Sequence, residues 1–280
     1  MAAIKFTKMQ GAGNDYVYVD CTTTAIDNPS VLAEKISDRH FGVGSDGLVM
    51  ICASAVADFR MRMFNADGSE AQMCGNAARC IGKYVYEKGL TQKIDITLET
   101  LAGIKFLHLF IERDKVSKVT VDMGAPELLP AKIPVNLKGE RVLNFPLLAG
   151  SDTYGITCVS MGNPHAVIFV KNVDAFDVHG VGRIIENHPL FPQRINVEFV
   201  EVVKRSLLKM RVWERGSGET WACGTGACAT LVAASLNGLA DSRATLKLLG
   251  GDLDIEWHPD TRHVLMTGGA VSVFEGEYEL

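Results

Sequence analysis

The stretch MRMFNADGSEAQMCGNAA (61–78) lies without a gap over MRVWERGSGETWACGTGA (210–227), at an offset of 149 residues. Methionine, arginine, glutamate, cysteine, glycine and alanine recur in place, and Phe64 falls on Trp213. The same offset carries Gly13-Asn14 onto Gly162-Asn163. A β-type run follows each pair, Tyr16–Val19 and Ala166–Val170. Two separated motifs with one offset mark an internal duplication, so the chain reads as two copies of one supersecondary plan.

Working outward, each copy reads as strand, Gly-Asn loop, strand and helix, then two strands, a Cys-Gly loop, a second helix and further strands. The first-copy helices are expected near 30–38 and 76–88, and the second-copy helices near 175–187 and 225–237. Gly89 and Gly238 stand where C-terminal cap glycines belong. The run Ala227–Ala234 is apolar on every side, so it must be enclosed on all sides. Strands predominate around it. The fold class is therefore α+β: two pseudo-symmetric domains, each a mixed β-sheet or barrel wrapped around a central helix. The expected division is 1–122, joined by a C-terminal strand at 271–280, and 123–270.

With 280 residues, 47% of them hydrophobic and 22% charged, the composition is that of a globular protein with a sizeable core. The formal net charge of −5 disfavours a nucleic-acid partner. The odd count of seven cysteines, with no CxxC pair, argues against a secreted disulfide scaffold. No apolar leader opens the chain. The uncharged run 220–240 is interrupted by Gly224, Gly226, Asn237 and Gly238, so its apolar part is too short to span a bilayer. A cytoplasmic protein with free thiols and no membrane partner is expected.

Each copy places one Cys-Gly where a loop becomes a helix. Unpaired N–H groups and the dipole at a helix start favour negative charge. Such a position lowers a thiol pKa and lets the same N–H groups hold a carboxylate. A cysteine is often only a small buried residue, but Cys74 and Cys223 persist while Met73 faces Ala222 and Asn76 faces Thr225. Two equivalent thiols suit stereoinversion at a carbon acid, one as base and one as acid, on opposite faces of one molecule bound between the halves.

The segments KMQGAGNDYVYVD (8–20), FGVGSDGL (41–48), FNADGSEAQMCGNAARC (64–80), SMGNPHAV (160–167), RINVEFV (194–200) and RVWERGSGETWACGTGACA (211–229) resemble the diaminopimelate epimerases, a family of cofactor-independent amino-acid epimerases. The resemblance spans nearly the whole chain. It implies an isomerase that interconverts LL- and meso-2,6-diaminopimelate for lysine and cell-wall synthesis, without cofactor or metal and as a homodimer. It implies that Cys74 and Cys223 are the two bases, and that Gly75, Asn76, Gly224 and Thr225 hold the reacting carboxylate. Asn14, Asn65, Asn163, Asn196, Glu214 and Arg215 would bind the rest of the substrate. His165 and Glu214 would orient or tune the thiols and the amino group. Two positions depart from some relatives: Gly47 stands in place of a substrate-binding glutamine, and Phe274 in place of a dimer-supporting tyrosine.

Other readings of these residues stay open. Loop asparagines are often turn formers, Arg215 beside Glu214 could be a solvated pair, and His165 could be structural. Gly42–Gly47 spells GxGxxG, but a helix-like stretch precedes it and a strand follows, the reverse of a dinucleotide site. A related proline or hydroxyproline racemase, a metal or redox protein using Cys74, Cys80, Cys223 and Cys228, and a non-catalytic amino-acid-binding module are the alternatives. The Cys-x5-Cys and Cys-x4-Cys spacings suit zinc poorly, and Cys80 and Cys228 are expected in the core.

Overall fold

The structure, a computed structural model, describes residues 3–279. The chain divides into two units, Met1–Asp122 with Thr267–Leu280, and Met123–Met266. Unit 1 runs β1 (Ala3–Gly11), β2 (Asn14–Cys21), α1 (Pro29–Ser37), β3 (Gly47–Cys52), β4 (Phe59–Asn65), β5 (Glu70–Ala71), α2 (Gly75–Glu87), β6 (Asp95–Thr100), β7 (Gly103–Glu112) and β8 (Lys115–Asp122). Unit 2 runs β9 (Phe145–Ala149), β10 (Asp152–Ser160), β11 (Pro164–Phe169), α3 (Val178–Glu186), β12 (Asn196–Lys204), β13 (Leu207–Glu214), β14 (Gly218–Thr220), α4 (Gly224–Leu236), β15 (Arg243–Leu248) and β16 (Gly251–Trp257). The unit boundary falls inside β17 (Val264–Gly268), and β18 (Val271–Glu279) pairs antiparallel with β1.

The sequence offset holds at the level of element ends. Adding 149 takes β1 onto β10, α1 onto α3 and α2 onto α4, first residue to first and last to last. Strand pairing repeats as well. In unit 1, β1–β2 and β3–β4 are antiparallel, whereas β2–β3 and β4–β6 are parallel. In unit 2, β10–β11 and β12–β13 are antiparallel, whereas β11–β12 and β13–β15 are parallel. Parallel neighbours need a crossover, and α1, α2, α3 and α4 supply one each.

The helices sit where their apolar faces demand. Helix α1 opens with a proline in its first turn, where a missing N–H costs nothing, and buries Leu32, Ala33 and Ile36. These join Phe6, Val17, Val19, Leu48, Met50 and Phe64 in one core. Helix α2 packs on β1, β7 and β8. Its Ile81 is fully buried, a burial worth roughly 2 kcal/mol. At Gly82 an added Cβ would lie 2.9 Å from Leu109 Cδ2, so glycine sets how closely helix and sheet approach. Helix α4 is enclosed by β10, β11, β12, β15 and β16. The small residues Gly226, Ala227, Ala229, Ala233 and Ala234 are all buried there. Both helices stop at a left-handed glycine, Gly89 at φ 73° and Gly238 at φ 71°. Cys80 and Cys228 are fully buried. Among the described residues no helix is long and apolar enough to cross a membrane.

Candidate active site

Both cysteines marked by the duplication are helix N-caps in extended conformation, Cys74 with φ −138° before α2 and Cys223 with φ −116° before α4. The first helical bonds run from Ala78 N–H to Cys74 O and from Ala227 N–H to Cys223 O, each 2.9 Å. The N–H groups of Gly75, Asn76, Gly224 and Thr225 therefore have no acceptor within their helices. The helix dipole makes each such end receptive to an anion.

In unit 1, Cys74 is half-buried, and its thiol donates to Asn14 Oδ1 at 3.5 Å. Asn76 Nδ2 donates to the same oxygen at 3.3 Å, while the Asn76 Oδ1 is buried without a hydrogen-bond partner. The Asn14 amide is aimed from behind, because its Nδ2 donates to Asp46 Oδ2 at 2.7 Å. A carboxylate can only accept here, which fixes which end of the amide faces Cys74. Arg39 clamps this support, donating to Asp46 Oδ1 at 3.0 Å and to Asp15 Oδ1 at 2.9 Å. Lys8 Nζ lies 2.6 Å from Asp15 Oδ2. Burial opposes ionisation of Asp15, but Arg39 and Lys8 outweigh it and hold the carboxyl below its usual value. Burial and the neighbouring Asp15 charge push Asp46 up.

Asn65 closes its own turn, donating through Nδ2 to Ser69 Oγ at 3.0 Å. At Gly47 an added Cβ would sit 2.0 Å from the Phe64 carbonyl oxygen, so this backbone admits no side chain there. The GxGxxG stretch lies between α1 and β3 and opens no helix.

In unit 2, Cys223 is buried and its sulfur accepts from Gly226 N–H at 3.3 Å. Thr225 Oγ1 lies 3.4 Å from that sulfur. Behind it, His165 Nδ1 meets Glu198 Oε1 at 2.7 Å and His165 Nε2 meets Asn163 Oδ1 at 3.0 Å. Both His165 and Glu198 are fully buried, and Glu198 Oε2 has no hydrogen-bond partner. Ligand-type atoms of His165, Glu198 and Cys223 lie within 4.8 Å of one another. Asn196 braces the loop, donating to Pro164 O at 2.8 Å and accepting from Arg215 N–H at 2.9 Å. Glu214 accepts from the Thr220 hydroxyl, and the Arg215 guanidinium donates to Gln193 O at 3.0 Å.

The sequence expectation that a helix start lowers both thiol pKa values fails at Cys223. Burial, then Glu214 and Glu198, push this thiol well above its ordinary value, against the smaller pull of Thr225 and Gly226. Glu198 is the residue that sequence reasoning passed over, inside the quoted RINVEFV. The duplication carried a signal for it: at the common offset Glu198, His165 and Gly226 replace Val49, Tyr16 and Ala77. A Cβ on Gly226 would lie 2.6 Å from Glu198 Oε1 and 3.2 Å from Cys223 Sγ. A glycine at 226 is what makes room for the carboxylate, and the alanine at 77 goes with valine at 49.

The fold is shared with solved structures of distant sequence. A PhzF-family phenazine biosynthesis protein from Bacillus anthracis superposes with a TM-score of 0.71 at 19% identity, over 100% of both chains. A hydroxyproline epimerase from Agrobacterium vitis gives 0.70 at 13% identity, over 99% of this chain and 91% of that one. The sequence defines the family within that fold. Residues 6–129 and 157–273 match the family described as diaminopimelate epimerase. The diaminopimelate epimerase of Acetivibrio thermocellus is 60% identical over 277 residues, covering 99% of each chain. That of Methanococcus maripaludis strain S2 is 56% identical over 277 residues, covering 99% of this chain and all of its own. The chain belongs to the diaminopimelate epimerase family, and it is an isomerase.

Proposed function

We propose that the protein interconverts LL- and meso-2,6-diaminopimelate by moving a proton at one α-carbon, with Cys74 and Cys223 as its two proton-transfer groups. The observation that carries this reading is the duplication of one arrangement: a cysteine N-cap over two helical N–H groups that lack helical acceptors, once in each unit. One thiolate removes the α-proton and the other thiol delivers a proton to the opposite face. The electron pair left on carbon spreads into the carboxylate, and the N–H groups of Gly75, Asn76, Gly224 and Thr225 stabilise the charge that develops there. The raised Cys223 suits the acid role at the start of one direction, and the reverse direction exchanges the roles.

Asn14, Asn163 and Asn196 are held by their own polar partners, so they present fixed amide edges to the rest of the substrate. Arg215 is suited to a second carboxylate. Asn65 and Glu214 complete the substrate contacts in this reading, with His165 positioning the Cys223 region. The protein acts without cofactor or metal and as a cytoplasmic homodimer. The exposed Val271, Val273 and Phe274 of β18 leave apolar side chains for a second copy to cover. Proton NMR of LL-diaminopimelate with the protein in D2O tests the reading. Loss of the α-proton signal with growth of the meso isomer is expected, and an unchanged spectrum at high protein concentration would refute it.

A further inference from the structure

Unit 1 holds a second pair of thiols that the epimerisation does not use. Strands β2 and β3 are parallel neighbours, and the last pair in their register is Cys21 opposite Cys52. Directly opposed residues project to the same face of a sheet. The spacing of neighbouring strands, about 4.8 Å, falls inside the Cα window of about 4.4–6.8 Å that a disulfide accepts. Both side chains line one cleft. Both cysteines are free thiols, Cys21 buried and Cys52 half-buried.

This pair is reachable. A small cleft of about 250 Å³, lined by Cys21, Thr24, Met50, Cys52 and Arg62 among others, opens over it. On the adjacent antiparallel strand β4, Arg60 stands opposite Cys52 and Arg62 opposite Met50. The Arg62 guanidinium is itself held by Glu70, with Nε to Oε1 at 2.8 Å. The eight residues of β2 separate this end from Asn14 at the other. At about 3.3 Å per residue that is roughly 23 Å, so the pair is remote from Cys74.

We propose that Cys21 and Cys52 form a reversible redox site, in which Cys52 is the attacking thiol toward small hydroperoxides and Cys21 the resolving one. Cys52 thiolate attacks one peroxide oxygen, the O–O bond breaks, and the leaving oxygen takes a proton to depart as water or an alcohol. Cys52 is left as a sulfenic acid. Cys21 sulfur then attacks the Cys52 sulfur, the S–OH bond breaks, and the hydroxyl leaves with the Cys21 proton as water. Two thiols lose two electrons to become one disulfide, and the peroxide gains them. An external dithiol reverses the change by exchange.

The division of labour follows from the surroundings. Cys52 is the more exposed of the two and stands opposite Arg60; its neighbour Cys21, then Arg62 and Arg60, hold its thiol below the ordinary value against burial and Asp20. Cys52, burial and Asp20 raise the buried Cys21, with Arg62 opposing. Cys80 and Cys158 offer internal controls, since burial pushes both thiols up.

The test uses the full reduced chain. Brief iodoacetamide treatment at neutral pH should label Cys52 about tenfold faster than Cys21, Cys80 or Cys158, in line with its thiolate fraction. Hydrogen peroxide followed by peptide mapping should yield a Cys21–Cys52 bridge that dithiothreitol removes. In Cys21→Ser, peroxide should stop at a Cys52 sulfenic acid that dimedone traps. In Cys52→Ser, Cys21 should stay unoxidised. A Cys52 no more reactive than Cys158, or peroxide treatment that leaves the wild-type pair unbridged, would overturn the proposal.

Discussion

Glu198→Gln removes one charge from behind Cys223 while keeping the side-chain shape and an oxygen for His165 Nδ1. Ligand-type atoms of Glu198 and Cys223 lie within 4.8 Å. Two like unit charges at that separation repel by about 3.5 kcal/mol at an effective dielectric of about 20. Half of that, allowing for relaxation, is about 1.7 kcal/mol, or more than tenfold in thiolate population. Loss of that charge favours ionised Cys223. The assay is the rate of iodoacetamide alkylation at Cys223 across the neutral and alkaline range, read by peptide mass spectrometry, with Cys74 followed in the same samples. The Cys223 profile should move to lower pH with roughly tenfold faster labelling near neutrality, while Cys74 keeps its profile. The epimerisation optimum should move in the same direction. If Cys223 labelling is unchanged in rate and pH dependence, Glu198 does not tune this thiol.

Gly226→Ala should remove most activity while the protein stays folded, because the new Cβ would meet Glu198 Oε1 at 2.6 Å. The mirror change Ala77→Gly should leave Cys223 alkylation unchanged and cost about 2 kcal/mol, from the helix term of about 1 kcal/mol and the loss of a fully buried methyl. Thermal stability should fall on acidification through the carboxyl range, and Glu87→Gln should reduce that dependence. Burial opposes the Glu87 charge, but Lys83 and the Val116 N–H hold its pKa below the ordinary 4.5. That stability is present above the unfolded value and is lost as pH falls through the lower folded one. Dialysis against a chelator should leave turnover intact, and a loss restored by divalent metal would contradict cofactor-independent action.

The fold was legible because a duplication is read by position rather than by propensity. One offset aligned Cys74-Gly75 with Cys223-Gly224, and helices α2 and α4 follow it at both ends. The apolar Ala227–Ala234 run announced an enclosed helix without any tertiary information. Polar support was harder to see, because it joins residues far apart in sequence. Asp46 and Arg39, far along the chain from Asn14, aim its amide, and nothing local marks them for that role. Glu198 looked like a strand residue among Asn196–Val200, and only comparison with Val49 and Ala77 exposes its pairing with Gly226. The direction of the Cys223 shift was hidden for the same reason. A helix start favours a thiolate, but burial and two carboxylates, invisible in the local sequence, outweigh it.

The most direct test of two-base inversion is the pair of single variants Cys74→Ala and Cys223→Ala, each assayed for inversion and for α-deuterium exchange with both isomers in D2O. Positioned proton transfer contributes about 10²–10⁴-fold, so each variant should lose inversion by at least that factor. Any residual exchange should occur with one isomer only, and with opposite preference in the two variants. Either variant inverting substrate at close to the wild-type rate would contradict the account.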